Sequence, residues 1–487
     1  MADFSSMPAM QGFFAPMRFE ADVFDCEVMG KIPSELSGAF VRLGGDWLYP
    51  PKDPNDSPFS QDGYISMFRF RNGNVDFKGR WVRTPRFEAN RTAHRQLFGN
   101  YRNPFTDEPS AAGLDRTVSN TTPLAFGGKL FTLKEDSLPY EIDPKTLSTI
   151  GPYDFNGKYR SQTFSAHPKI DPVSGEMIAY GYEATGLLSQ DVFLYTIDKN
   201  GKVTREVRFK TPYLSMVHDI AITQQHVIIP IHGFVSSMER LKAGKVHWGW
   251  DGSLPTYYGV IPRDGEAKDL RWFKGPTRAI VHTFNARSEG NKVVLEAPMF
   301  DATPFPFFPP IDGSPWDPAK ARAMIRRVTF DLGSKSGNGR EELLLQQPLA
   351  NDLVRIDNRH LSLPQRYGYC SFSDPNRPFD EARAGNLRGR ITNCYVRYDF
   401  STGKLESMFA GETHSLQECC FVPRSKDAAE GDGYLLGVAS NYAEMHSELL
   451  IADAQHLSQG PIARVILPFR AAAQVHGTWV NEGEVSL

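Results

Sequence analysis

Cysteine is scarce in this sequence, and its few copies follow no pairing pattern. Cys26, Cys370, Cys394, Cys419 and Cys420 contain no CxxC, and an odd count at such spacings argues against a disulfide framework. A reducing compartment, the cytoplasm, is the expectation. No run of about 18 apolar residues occurs, so no transmembrane segment is expected. The opening residues MADFSSMPAMQGFF lack the basic-then-apolar order of an export signal. Charge is equally undirected: 54 basic and 57 acidic residues give a net charge of -3, with no run of five like charges. That balance speaks against nucleic acid and anionic membrane as partners and favours a small molecule. Helical periodicity is nearly missing as well. The best helix candidate is DPAKARAM at 317–324, where Asp317 would cap and Pro318 would fill the first turn.

What the sequence does have is glycine, proline and short strands. Alternating residues at 66–70 and 75–82 flank an Asn72-Gly73 turn, and 191–197 and 203–209 flank Asn200-Gly201, so both pairs read as hairpins. Further strands are expected at 129–133, 220–231, 292–297, 325–330, 394–398, 434–439, 449–452 and 464–469. With 41 glycines and 35 prolines, the fold class is all-β, and evenly spread hairpins favour a propeller or a large barrel over a sandwich. No linker divides the chain, so residues 1–487 are read as one domain. Seven four-stranded blades would take about 70 residues each against about 40 to 45 for a minimal blade, the surplus being loops. These loops are expected to roof one face, with the aromatic segment at 300–316 among them.

Four stretches place a histidine beside a strand-like run: SAHPKIDP (His167), MVHDIAIT (His218), IVHTFNAR (His282) and QVHGTWV (His476). Their separations of 51, 64 and 194 residues match no local metal motif. Ligands so far apart converge only in a fold that closes on itself, as a propeller does. Four neutral imidazoles leave two adjacent positions open on an octahedral ion, which suits Fe(II) meeting both O2 and a substrate. Zinc more often takes three protein ligands and a water. The other eight histidines are read as surface or core polar groups.

These stretches, in this order, resemble the carotenoid cleavage oxygenase family over nearly the whole chain. LSGAFVRLGGDW, QDGYISMFRFRNG and RWVRT carry the resemblance early; HPKIDPVSGE, VHD, HTFNA, RIDNR, FVPR and HGTW carry it later. The resemblance implies a seven-bladed β-propeller with short helices and long loops over one face. It also implies one non-haem iron per chain on His167, His218, His282 and His476, and oxidative scission of an alkene by O2 into two carbonyl products. Carboxylates that accept the second ring proton of the ligands are implied at Glu135 and Glu418. The third such position holds Asp352, one methylene shorter than the family glutamate, so either the backbone comes closer or a water intervenes.

Within the family the chain looks most like the bacterial enzymes that cleave 4-hydroxystilbenes such as lignostilbene to vanillin-type aldehydes. Phe59, Tyr101 and Lys134 carry that likeness: Tyr101 and Lys134 would grip the phenolic oxygen, and Phe59 would pack on a ring. Phe305 and Phe307 are nominated as further walls, and Thr121 as a shaper of the O2 pocket. In an extended strand Lys134 and Glu135 point to opposite faces, so a twist or bulge is needed for both to serve one cavity. A homodimer is compatible with this reading. The alternatives are a carotenoid or apocarotenoid cleavage enzyme and a metal-free propeller that only binds.

Overall fold

The computed structural model describes residues 3, 4, 7, 10–386 and 391–487. Its strands gather into seven antiparallel blades of a β-propeller. Blades II to VI follow the chain, spanning 122–152, 169–210, 221–275, 285–343 and 367–409. Blade I is built from both ends of the sequence: Gln474–Asn481 pairs with Gly38–Asp46, followed outward by Asp62–Arg71, Asn74–Trp81 and Ala21–Val23. Blade VII runs from His414–Pro423 through Gly433–Asn441, His446–Asp453 and Pro461–Ile466 to Glu27–Gly30. Early and late strands therefore interlock in both closing blades.

Local chemistry explains the pieces. Asn72 and Gly73 take positive φ of 51° and 79°, the backbone that a two-residue hairpin needs, and join the expected strands of blade I. Met177–Tyr182 and Gly433–Asn441 are buried along their whole lengths, because each blade is covered by its neighbours on both faces. Such strands read as continuous apolar runs rather than alternating ones. Phe40, Phe68, Leu436 and Val438 fill the seam between blades I and VII. Phe131, Leu133, Met177 and Ala179 fill the one between II and III. Each large side chain buried there contributes about 1.5 to 3 kcal/mol.

Two expectations need correction. Residues 317–324 form no helix: Asp317 Oδ1 accepts from Ala319 N at 2.9 Å, an Asx turn, and a strand, Met324–Asp331, begins at once. The expected strand at 220–231 is broken into Ala221–Ile222 and His226–Ile231 by a turn at Thr223. The longest helix among the described residues is instead Pro85–Ala93, capped by Thr84 and led by Pro85. The segment at 300–316 is irregular, as expected of a roof. No helix among the described residues is long and apolar enough to cross a membrane.

Candidate metal centre and aromatic pocket

Every blade sends one residue to the axis. His167, His218 and His282 lie two or three residues before the inner strands of blades III, IV and V, and His476 lies within that of blade I. Glu135 follows the second strand of blade II, Glu418 stands on the inner strand of blade VII, and Asp352 belongs to the segment that Arg355 bridges to Tyr369 of blade VI. The ladders shift register at Leu43/Gly44, opposite His476, and at Leu416/Cys419, beside Glu418. An extra residue in a strand turns its neighbours' side chains, and here it turns them inward.

One nitrogen from each of the four histidines falls within 4.8 Å of the others. Three rings donate Nδ1–H outward to a carboxylate: His218 to Glu135 at 2.6 Å, His282 to Asp352 at 2.9 Å and His476 to Glu418 at 2.8 Å. The shorter Asp352 reaches its ring directly. Once Nδ1 carries the proton, Nε2 of a neutral ring holds a lone pair, and these point at the axis. His218 Nε2 is 3.0 Å from His167 Nε2 and 3.3 Å from His282 Nε2. A hydrogen bond from His167 can settle the first contact; the second sets two lone pairs against each other. Among the described residues, His476 Nε2 is buried with no hydrogen-bond partner. Nitrogens about 2.1 Å from one ion and at right angles lie about 3.0 Å apart, so the cluster fits a metal ion.

Burial acts against charge on His167, His282 and His476, while ring and cation partners keep the three carboxylates charged. Burial pushes His167 far below the ordinary histidine value, helped by the other imidazoles, and pushes His476 down to about 4. Burial resists charge on His282 too, but Asp352 outweighs it and raises that ring. Burial alone would raise Glu135, yet His218 and Lys134 bring it down to about 2. Glu418 is held low in the same way by Arg355 and His476.

Beside this centre the structure brings together the residues expected to hold substrate. Phe59 packs edge-on against Tyr101, Phe305 and Phe307, with centroids 6.0, 5.4 and 5.1 Å away. Lys134 Nζ lies 5.2 Å from the Tyr101 ring centroid and 5.6 Å from that of Phe59, within cation–π range. The strand Lys129–Leu133 ends one residue before Lys134, so strand alternation does not apply and no bulge is needed. Tyr101 hydroxyl donates to Glu135 Oε1 at 3.3 Å, tying the pocket to the carboxylate behind His218. Burial holds that phenol well above its ordinary value, so it stays a neutral donor. Thr121 is half-buried and donates to Asn120 Oδ1 at 3.3 Å.

A cavity of about 520 Å³ with a mixed polar and apolar lining reaches His167, His282 and His476; Lys169, Thr283 and Thr478, which follow those ligands in the chain, line it, and Phe59, Tyr101, Phe305 and Phe307 do not.

The sequence model for the family described as retinal pigment epithelial membrane protein matches residues 14–481. The chain belongs to the carotenoid oxygenase family. Among its relatives, a lignostilbene-alpha,beta-dioxygenase isozyme III of Sphingomonas paucimobilis is 40% identical, with 100% of both chains covered. An isoeugenol monooxygenase of Pseudomonas putida is 42% identical over 98% of each chain. The crystal structure of lignostilbene dioxygenase from Pseudomonas brassicacearum superposes with a TM-score of 0.94 at 38% identity, covering 99% of this chain and 100% of that one.

For this family member, sequence reasoning left out Phe308, 5.9 Å from Phe59 and 5.6 Å from Tyr101 in the same aromatic cluster. It also left out Asn120, which accepts from Lys134 Nζ at 3.0 Å. Phe308 follows Phe307 in a roof already singled out, so the signal was present; Asn120 sits in SNTTPL, which reads as a turn.

Proposed function

We propose that this protein is a non-haem Fe(II) dioxygenase that uses O2 to cleave the central alkene of 4-hydroxystilbenes such as lignostilbene, giving two aromatic aldehydes. One observation carries the substrate reading: an ammonium, that of Lys134, is buried among aromatic rings and, among the described residues, hydrogen-bonded only to neutral oxygens, those of Phe59 and Asn120. Such a cation favours an anionic partner, and a phenol becomes one beside it. Iron held by His167, His218, His282 and His476 would supply O2 activation.

The chain's own residues do the rest. Phe59, Phe305 and Phe307 hold the ring and exclude water, which strengthens the pull of Lys134 on the phenolic oxygen. Charge drawn into the phenolate spreads through the ring to the alkene carbon and makes it electron-rich. Tyr101, neutral and beside Lys134, turns its single O–H from Glu135 to the phenolic oxygen when the substrate enters, as a second donor. Glu135, Asp352 and Glu418 hold three ligands in the tautomer that aims Nε2 inward. Thr121 narrows the space beside the centre where O2 arrives. The whole chain works as one catalytic domain, and five buried, unpaired cysteines support a reducing, cytoplasmic setting.

A smaller 4-hydroxyphenyl alkene is the second reading, favoured by the 42% identity to an isoeugenol monooxygenase. Aldehyde release from lignostilbene, isoeugenol and an apocarotenal separates these classes. A 4-hydroxystilbene should be cleaved far faster than its methyl ether, and equal rates would refute the phenolate step. Lys134→Met should lower kcat/KM about 100-fold for the free phenol.

A further inference from the structure

Asn120 is buried just before the inner strand of blade II, Thr122–Phe126, and its amide is shared between two unlike surroundings. Nδ2 donates to the carbonyls of Phe59 at 3.2 Å and Gln61 at 2.8 Å. Oδ1 accepts from Lys134 Nζ at 3.0 Å and from Thr121 Oγ1 at 3.3 Å. With acceptors on one side and donors on the other, only one orientation of a neutral amide satisfies all four groups. The Phe59 carbonyl also accepts from Lys134 Nζ, at 3.1 Å. Asn120 and Phe59 thus engage two of the three N–H bonds of the ammonium, both through uncharged oxygens.

Charged groups surround Lys134 without pairing with it. Glu135 and Asp136 lie on its own segment, Arg102 on the Tyr101 loop and Arg86 on the helix Pro85–Ala93. Among the described residues no carboxylate oxygen comes within 4.0 Å of Nζ. Glu135 is already engaged by His218 and Tyr101. Aspartate, of the same size as Asn120, would supply the missing counter-charge but would set its second oxygen against two carbonyls.

We propose that Asn120 is a positioning residue for phenol recognition: its amide aims the Lys134 ammonium while withholding a counter-charge, so that the substrate phenolate is the anion the ammonium pairs with. The proposal rests on the reading of Lys134 as the phenol-binding group, and the experiment keeps the two apart. Iron-loaded protein is titrated with 4-hydroxystilbene without oxygen, and the phenolate absorbance of the bound ligand is followed against pH in wild type, Lys134→Met, Asn120→Asp and Asn120→Ser. Thermal melting confirms that each variant is folded. Wild type should form bound phenolate at least about one pH unit below the free stilbene. Lys134→Met should lose that advantage. Asn120→Asp should lose most of it, about tenfold in the phenolate-to-phenol ratio at a given pH, because the new carboxylate takes the ammonium. Asn120→Ser, a milder change, should fall between them and answers the question if the aspartate variant does not fold. Wild-type phenolate curves in a folded Asn120 variant would overturn the assignment while leaving Lys134 in place. Identical curves for wild type and Lys134→Met would remove the phenol reading itself, and Asn120 with it.

Discussion

Among the described residues, two clusters that join several histidines to carboxylates face opposite ways. At the axis, each carboxylate sits behind its ring and takes the Nδ1 proton, so the Nε2 lone pairs point at a shared centre. On blade VII, His414 and His446 both donate Nε2–H to one oxygen of Glu448, at 3.2 and 2.9 Å, and Asn441 adds a third donor to it at 3.0 Å. Arg464 takes the other oxygen at 2.7 Å. There the carboxylate is the centre and the rings spend their protons on it. Residue type alone does not make a metal site; which ring nitrogen is protonated does.

Breaking the axial cluster should have the largest effect. His476→Ala should reduce bound iron to a small fraction of wild type and lower kcat/KM at least about 1,000-fold, whereas His446→Ala should keep full iron content. Metal analysis of both proteins is the check, and equal losses would erase the distinction. Next comes Glu448→Gln, which leaves four donors facing a neutral amide and should cost about 3 kcal/mol by denaturant midpoint with iron content unchanged. Its pH dependence has a definite sign. Burial opposes the Glu448 charge, but His414, Asn441 and His446 hold its folded pKa well below the ordinary 4.5. The stabilisation is therefore complete above about pH 4.5 and lost as pH falls further; the variant should show a shallower acid limb. Glu135→Gln should weaken iron retention about 10- to 100-fold in a chelator competition, because the tautomer of His218 is no longer enforced. The smallest effect is expected of His446→Gln, which keeps a donor near Glu448 and should change stability by less than about 1 kcal/mol.

Much of this was legible in the residues, and the gaps have physical causes. Hairpins announced themselves through Asn72-Gly73 and Asn200-Gly201, since few other pairs accept that backbone. The four histidines stood out because apolar strand residues adjoin them, and the family resemblance fixed which four of twelve to take. Lys134 and Glu135 looked incompatible only while the strand was assumed to continue past Leu133. At 317–324 a capping pattern was overruled by the neighbouring strand pairing. The helix Pro85–Ala93 had its signal in Thr84-Pro85, but its polar composition hid any apolar face. Asn120 was unreadable for a deeper reason: its role lies in holding Phe59 and Lys134 together across 61 and 14 residues, a relation that exists only in space.

The strand that carries His476 is also the one that joins late chain to early chain in blade I. Until it docks against Gly38–Asp46, a partly folded molecule can present three imidazoles to an ion but not the fourth. Tight iron capture is then a report that the ring has shut, and premature loading is discouraged by topology alone.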